Sequence, residues 1–322
     1  MHTPETGTPR VAVVGSVFLD LIYDRPLDDH TAKPIQQFHG GIGRNISENL
    51  GWIGQRPRLV TLITPDSLGE CIAAELADAG TELAAKYVSP GIGTYKAFVQ
   101  AGETKEYHIE QPLIEQLDWH FVSKHLGSVT HVVVETGLDR SMIDELLTYC
   151  KKYRIRVCGI PTRLRDLPLD WHLAIIGRLD CVIMNRAEAE TLLGCRITNH
   201  KTAVQSVAEL QRKGAHQAVI TLDADGAAAA NHYTPPAVYT ITGADVVNTL
   251  GCGDAFTAGL LAASMSGHSF PAAINAAFEL AKRTAETPGP VHAGAGRALL
   301  AALHSTQKIS SPRGYEVRKI HF

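Results

Sequence analysis

Short apolar runs rich in β-branched residues alternate with helix-like stretches along most of this chain, and no other feature constrains its fold as much. Val11–Gly15 is one such run, and Leu59–Ile63, His131–Glu135, Ile155–Ile160, Cys181–Met184 and Ala218–Leu222 repeat it. Between them, Ile46–Ile53, Leu68–Ala79, Met142–Tyr153, Ala187–Leu193 and Val204–Lys213 read as helices. Apolar runs without polar alternation are strands covered on both faces. Strand and helix in series then imply right-handed crossovers, a mostly parallel sheet, and ligands beyond the strand carboxyl ends. The first run leads through Phe18 and Leu19 to Asp20, an acid we expect at the carboxyl end of that strand.

Two segments break the rhythm. In Thr94–Glu110, Tyr95, Ala97 and Val99 alternate with polar residues, and beyond an Ala-Gly-Glu turn Tyr107 and Ile109 continue the period of two. That is a hairpin, too small to be stable alone, and with Lys33–His39 it is expected to form a lid over the main domain. Further on, Gly226–Ile241 reads as two strands, and Cys252–Met265, Pro271–Glu286 and Arg297–Leu303 read as helices. The expected architecture is one α/β domain over residues 10–304, a doubly wound, mostly parallel sheet with lid segments at 33–39 and 94–110, followed by an extended tail over 305–322.

Composition works by exclusion. Thirty Lys+Arg against 33 Asp+Glu leave a net charge of −3, so there is no basic field for nucleic acid or an anionic membrane. The six cysteines, at 71, 150, 158, 181, 195 and 252, form no C-x-x-C pair and no Cys/His cluster of zinc-ligand spacing, which reads as reduced, cytoplasmic usage. No apolar run approaches the ~18 residues of a membrane span, and the N-terminus does not resemble a signal peptide.

Three clusters carry chemistry. Gly40-Gly41-Ile42-Gly43-Arg44-Asn45 runs into a helix with Ile46, Leu50 and Ile53 on one face. It is either a glycine-rich turn with Asn45 as a local cap, or a place where backbone and helix start approach a ligand. Asn185-Arg186-Ala187-Glu188 follows a buried strand; its ends pair as a capping box or order Mg²⁺ and a phosphate. Gly251-Cys252-Gly253-Asp254 opens an apolar helix. There, glycines expose N–H groups as an anion hole and Asp254 is placed to take a proton from an attacking hydroxyl; alternatively, Asp254 only complements the helix dipole. The Gly-x-Gly spacing has no evident structural need for both glycines.

In this order, the three clusters resemble the signatures of the ribokinase-like (PfkB) carbohydrate kinases, over about residues 10–300, and Thr221–Gly226 is similar to that family's nucleotide-binding strand and turn. The resemblance implies ATP-dependent phosphorylation of a primary hydroxyl of a sugar or nucleoside. It makes Asp254 the base and Gly251, Cys252 and Gly253 the anion hole. Asp20, Gly40, Gly41, Asn45 and Thr94 would then bind substrate. Asn185, Thr221, Gly226, Gly251 and Gly253 would lie along ATP, and Glu188 with Asn185 would serve Mg²⁺, with a monovalent cation such as K⁺ a further expected cofactor. Within the family GGIGRNISENL is most similar to pseudouridine kinases, which also tend to carry Asn at the position of Asn248. Cys252 stands for the usual Ala, Asp223 for a usual Gly, and Gly159–Arg163 departs from the Asp-Pro-Val-Ser-like segment of pseudouridine kinases. Other substrates of the family, or a catalytically silent homologue, are the alternatives. The lid's apolar face is expected to build a homodimer.

Overall fold

The computed structural model describes residues 10–304, apart from 90, 101–102, 111–115, 242 and 244, together with 316–318. Its strands are β1 (Val11–Val14), β2 (Phe18–Tyr23), β3 (Gln36–Gly40), β4 (Arg58–Ile63), β5 (Glu82–Tyr87), β6 (Gly93–Gln100) and β7 (Glu103–Glu110). Then come β8 (His131–Glu135), β9 (Arg156–Ile160), β10 (Cys181–Asn185), β11 (Gln217–Thr221), β12 (Ala227–Asn231), β13 (Ala237–Thr240) and β14 (Glu316–Arg318). The helices are α1 (Ile42–Trp52), α2 (Ser67–Asp78), α3 (Trp119–Ser123), α4 (Arg140–Tyr153) and α5 (Leu169–Ile176). They continue with α6 (Arg186–Leu193), α7 (His200–Arg212), α8 (Cys252–Met265), α9 (Phe270–Ala285) and α10 (Ala293–His304).

The main sheet runs β14-β13-β12-β11-β10-β9-β8-β1-β4-β5, parallel from β11 to β5 and antiparallel from β11 to β14. Successive residues of one strand serve opposite faces. Ala12 and Val14 join Val132, Val134, Val182 and Ala218 under α4–α7. Val11 and Val13 join Val133, Ile183 and Val219 under α1, α8 and α9. This two-sided core is why the strands read as unbroken apolar runs.

The second sheet, β3-β2-β6-β7, contains the expected hairpin. Tyr95 pairs with Ile109 and Ala97 with Tyr107, so the period of two holds, with a register shift between Phe98 and Val99. Ala101 and Gly102, the first two residues of the expected Ala-Gly-Glu turn, lie outside the described residues.

Three expectations change. Asp20 does not end the first strand: Gly15–Val17 leaves the main sheet, and Asp20 sits mid-strand in β2. Helix α1 starts at Ile42 rather than Ile46, with Gly41 at φ 96° as its N-cap and no side-chain cap, so Asn45 is not a cap. The tail is not wholly irregular, because Glu316–Arg318 pairs antiparallel with β13; the rest of 305–322 lies outside the described residues. No helix among the described residues is long and apolar enough to cross a membrane.

Candidate active site

The carboxyl ends of the central strands, the amino ends of α1 and α8, and the small sheet meet around three acids. Asp254, in the first turn of α8, accepts a hydrogen bond from Asn45 Nδ2 at 2.9 Å. Asp20 is 3% exposed, and its carboxylate lies over Gly40, where a Cβ would collide with it. Glu135, 4% exposed at the end of β8, accepts from Ser16 N at 2.6 Å, Ser16 Oγ at 2.8 Å and Gly43 N at 3.1 Å. Gly41 is needed for its positive φ and because Ser16 and Phe18 backbone crowd it. Gly40 thus packs against Asp20, Gly41 against the Ser16–Phe18 backbone and Asn45 against Asp254.

Electrostatics follow from that crowding. Burial pushes Asp254 up to about 8; Asn45 opposes this, and Glu135, Asp20 and Glu188 add to it. Burial likewise raises Asp20 to about 7 against the pull of the Arg44 guanidinium, and raises Glu135 against the bonds from Ser16 and Gly43. Carboxyls raised to about 7 and 8, as at Asp20 and Asp254, are suited to exchanging protons at physiological pH.

The two glycines before Asp254 do different work. Gly251 adopts φ 74°, and a Cβ there would drive into the Pro290 backbone. Its presence is therefore structural. A Cβ at Gly253 would meet nothing within 4 Å. The helix has no side-chain cap, and its first i→i−4 bond is Ala255 N to Gly251 O, so the N–H groups of Gly253 and Asp254 precede the ladder. Burial and the Asp254 charge raise the Cys252 thiol to about 12, and its Sγ turns to Asn248 O at 3.9 Å. The loop ahead of it is tied down by Asn248 Nδ2 to Pro288 O at 2.6 Å.

A second group lies along the same sheet edge. Asn185 and Glu188 form a reciprocal capping box, 2.9 Å from Glu188 N to Asn185 Oδ1 and 2.7 Å from Asn185 N to Glu188 Oε2. The capping expectation is met; the half-buried Glu188 is still pushed up to about 7 by burial. Thr221 is the register partner of Asn185, and Gly226, at φ 100°, leaves no room for a Cβ beside Tyr239 O. Asp223 sits at φ 55°, a region that favours glycine and that Asp tolerates. Its neighbour Asp225 pairs with Arg186 at 2.6 Å.

Thr94 is not brought to the acids. It pairs with Leu19 while Tyr95 pairs with Asp20, so Thr94 occupies the other face of the small sheet, bonded to Glu110 at 3.2 Å. The sequence reading also missed Glu135 and Arg44. An acid closing the apolar run His131–Glu135 was the available signal for Glu135; Arg44 lay inside a motif read for its glycines.

Comparison with known proteins places this geometry. Guanosine-inosine kinase of Exiguobacterium acetylicum is 27% identical over 263 residues, covering 78% of this chain and 86% of the relative. Pseudouridine kinase of Escherichia coli is 20% identical over 274 residues, covering 81% and 85%. Ribokinase from Giardia lamblia superposes with a TM-score of 0.76 at 20% identity, over 92% of this chain and 98% of the other, which shows the shared fold. Residues 8–293, nearly the whole described domain, match the family described as pfkB family carbohydrate kinase, and the chain belongs to that family.

Proposed function

We propose that the protein transfers the γ-phosphoryl group of ATP to a primary hydroxyl of a ribose-like sugar or nucleoside. The observation that carries this is Asp254: a carboxylate that accepts a hydrogen bond from Asn45, in the first turn of a helix that has no side-chain cap and leaves the space beside Gly253 clear of protein atoms within 4 Å of an added Cβ. The acceptor hydroxyl attacks the γ-phosphorus while its proton passes to Asp254, and ADP departs. The N–H groups of Gly253 and Asp254 stabilise the charge gathering on the phosphoryl oxygens, with Gly251 and Cys252 completing the turn. Asp20, Gly40, Gly41, Asn45 and Glu135 orient the sugar hydroxyls. Thr221 and Gly226 run beside the nucleotide.

Mg²⁺ takes one or two carboxylates plus phosphates, and Glu188 with Asn185 would hold it through oxygen donors of that kind, where the ion would neutralise phosphate charge. A K⁺ requirement belongs to the same reading. We take residues 10–304 as one kinase domain, 33–39 and 94–110 as its lid, and 305–322 as a tail.

Pseudouridine is the favoured acceptor, phosphorylated at its 5′-hydroxyl, on the likeness of GGIGRNISENL to pseudouridine kinases. A purine nucleoside is the second reading, favoured by the 27% identity to a guanosine-inosine kinase. Coupled ADP release with Mg²⁺·ATP and pseudouridine, uridine, guanosine, inosine, adenosine or ribose separates them. Highest kcat/KM for pseudouridine is expected. Guanosine or inosine ahead of it transfers the assignment to the purine reading, and no turnover with any acceptor removes the kinase.

A further inference from the structure

Arg44 is a charged side chain that the chemistry above leaves without a task, although it is only 4% exposed. Burying a guanidinium is costly unless it is fully paired. Its Nη2 meets Glu48 and Glu75, each at 2.7 Å, and Glu75 also receives His39 Nδ1 from β3 at 2.9 Å. Nη1 donates to Asn45 Oδ1 at 3.1 Å. The opposite end of that amide, Nδ2, is the donor to Asp254.

A primary amide is nearly symmetric in shape but opposite in polarity at its two ends. Turned over, Asn45 would set its NH₂ against the guanidinium and its carbonyl against the Asp254 carboxylate. Both contacts would be repulsive. The groups facing Asp254 are Asn45 from α1, Asp20 from β2, Glu135 from β8 and Glu188 from α6, and among these only the amide favours the ionised acid. Around Arg44 stand Glu48, Glu75 and His39, with Asp20 within reach of its charge.

We infer that Arg44 is a positioning residue that sets which end of the Asn45 amide faces Asp254, so that this carboxylate accepts a hydrogen bond and keeps its second oxygen for the substrate hydroxyl. The inference rests on Asp254 as the base. Glu48 and Glu75 hold the guanidinium in place, and through His39 the small sheet shares in the same chain of contacts.

The test is the pH profile of kcat/KM for Arg44→Met, measured with Mg²⁺·ATP and pseudouridine, or guanosine if that is the acceptor turned over. The acidic limb should move up by about one unit, which is roughly tenfold in activity below the limb, with recovery in alkali. Arg44→Lys should restore part of the shift. Arg44→Gln, which still offers a donor to the two glutamates, carries the comparison if the methionine variant does not fold. A second readout needs no substrate: in ¹⁵N-labelled protein the Asn45 side-chain NH₂ signals, assigned by their loss in Asn45→Asp, should move with pH in the wild type and lose that response in Arg44→Met or Arg44→Gln. A folded Arg44→Met or Arg44→Gln variant with an unmoved limb, or an Asn45 amide that titrates as in the wild type, overturns the inference. Asp254→Asn separates the two claims: if it turns over normally, the base reading falls, while the amide signals still report on Arg44.

Discussion

Replacing each glycine of the Gly251-Cys252-Gly253 turn by alanine should break two different things. At Gly251 the left-handed backbone, φ 74°, costs a residue with a Cβ about 1–2 kcal/mol. The new methyl would also overlap the Pro290 carbonyl, and the loop must shift to admit it. A loss of roughly 2–3 kcal/mol is expected for the two together. For a chain of this size that lowers Tm by roughly 3–5 °C. At Gly253 nothing lies within 4 Å of the added methyl, and alanine is the better helix former, so stability should hold or rise by up to about 0.5–1 kcal/mol. If that space is where the transferring phosphoryl group sits, the same methyl obstructs the N–H groups that meet it. Loss of one oxyanion donor costs about 10²–10³ in kcat, and a displaced one roughly 10–100-fold. Differential scanning fluorimetry and steady-state kinetics on both variants make the measurement. A Gly253→Ala enzyme within twofold of wild-type turnover, or a Gly251→Ala enzyme melting with the wild type, refutes this division of labour.

Asp254→Asn should lower kcat by about 10²–10⁴ with the fold intact, because it keeps the shape and loses the proton acceptor; turnover within a few-fold of wild type would exclude it as the base. Since the folded carboxyl titrates near 8, kcat/KM should climb as pH rises toward 8. The same raised value means the folded state holds the proton more tightly than the unfolded chain. Stability from this group is therefore full below about pH 4 and is lost as pH rises through 8, a slope that Asp254→Asn should flatten in melting curves. Glu188→Gln preserves the bond to Asn185 N while removing the charge, so Tm should change little and the Mg²⁺ needed for half-maximal rate should rise; an unchanged Mg²⁺ requirement leaves Glu188 only its capping role. Ile35, Tyr107 and Ile109, at 57%, 57% and 46% exposure, leave apolar surface on and beside the small sheet, and a homodimer through this sheet is expected to cover it. Light scattering showing a monomer at tens of micromolar, or a Tyr95→Glu variant that dimerises unchanged, would count against it.

Much of the scaffold was legible in the chain alone. The unbroken apolar runs announced strands covered on both faces, and the period-two pattern of Tyr95, Ala97, Tyr107 and Ile109 announced a separate hairpin; both are local consequences of backbone geometry, in which side chains alternate along a strand. The order of the three glycine- and acid-bearing clusters pointed to the family that comparison then established. What periodicity does not report is which distant segments meet. Asn45 and Asp254 lie 209 positions apart and touch only because α1 and α8 pack side by side on one face of the main sheet. Asp20 looked like the end of the first strand, and only the turn at Gly15–Val17 carries it into the second sheet. Thr94 and Tyr95 are neighbours in sequence, yet strand pairing puts them on opposite faces and only Tyr95 in the row of Asp20. The two glycines before Asp254 are indistinguishable as letters; Pro290 crowds one and nothing crowds the other. Sequence determined the elements because their patterns are written within a few residues, whereas the proton affinities and contacts of the site arise from desolvation and proximity, which exist only once the elements have packed.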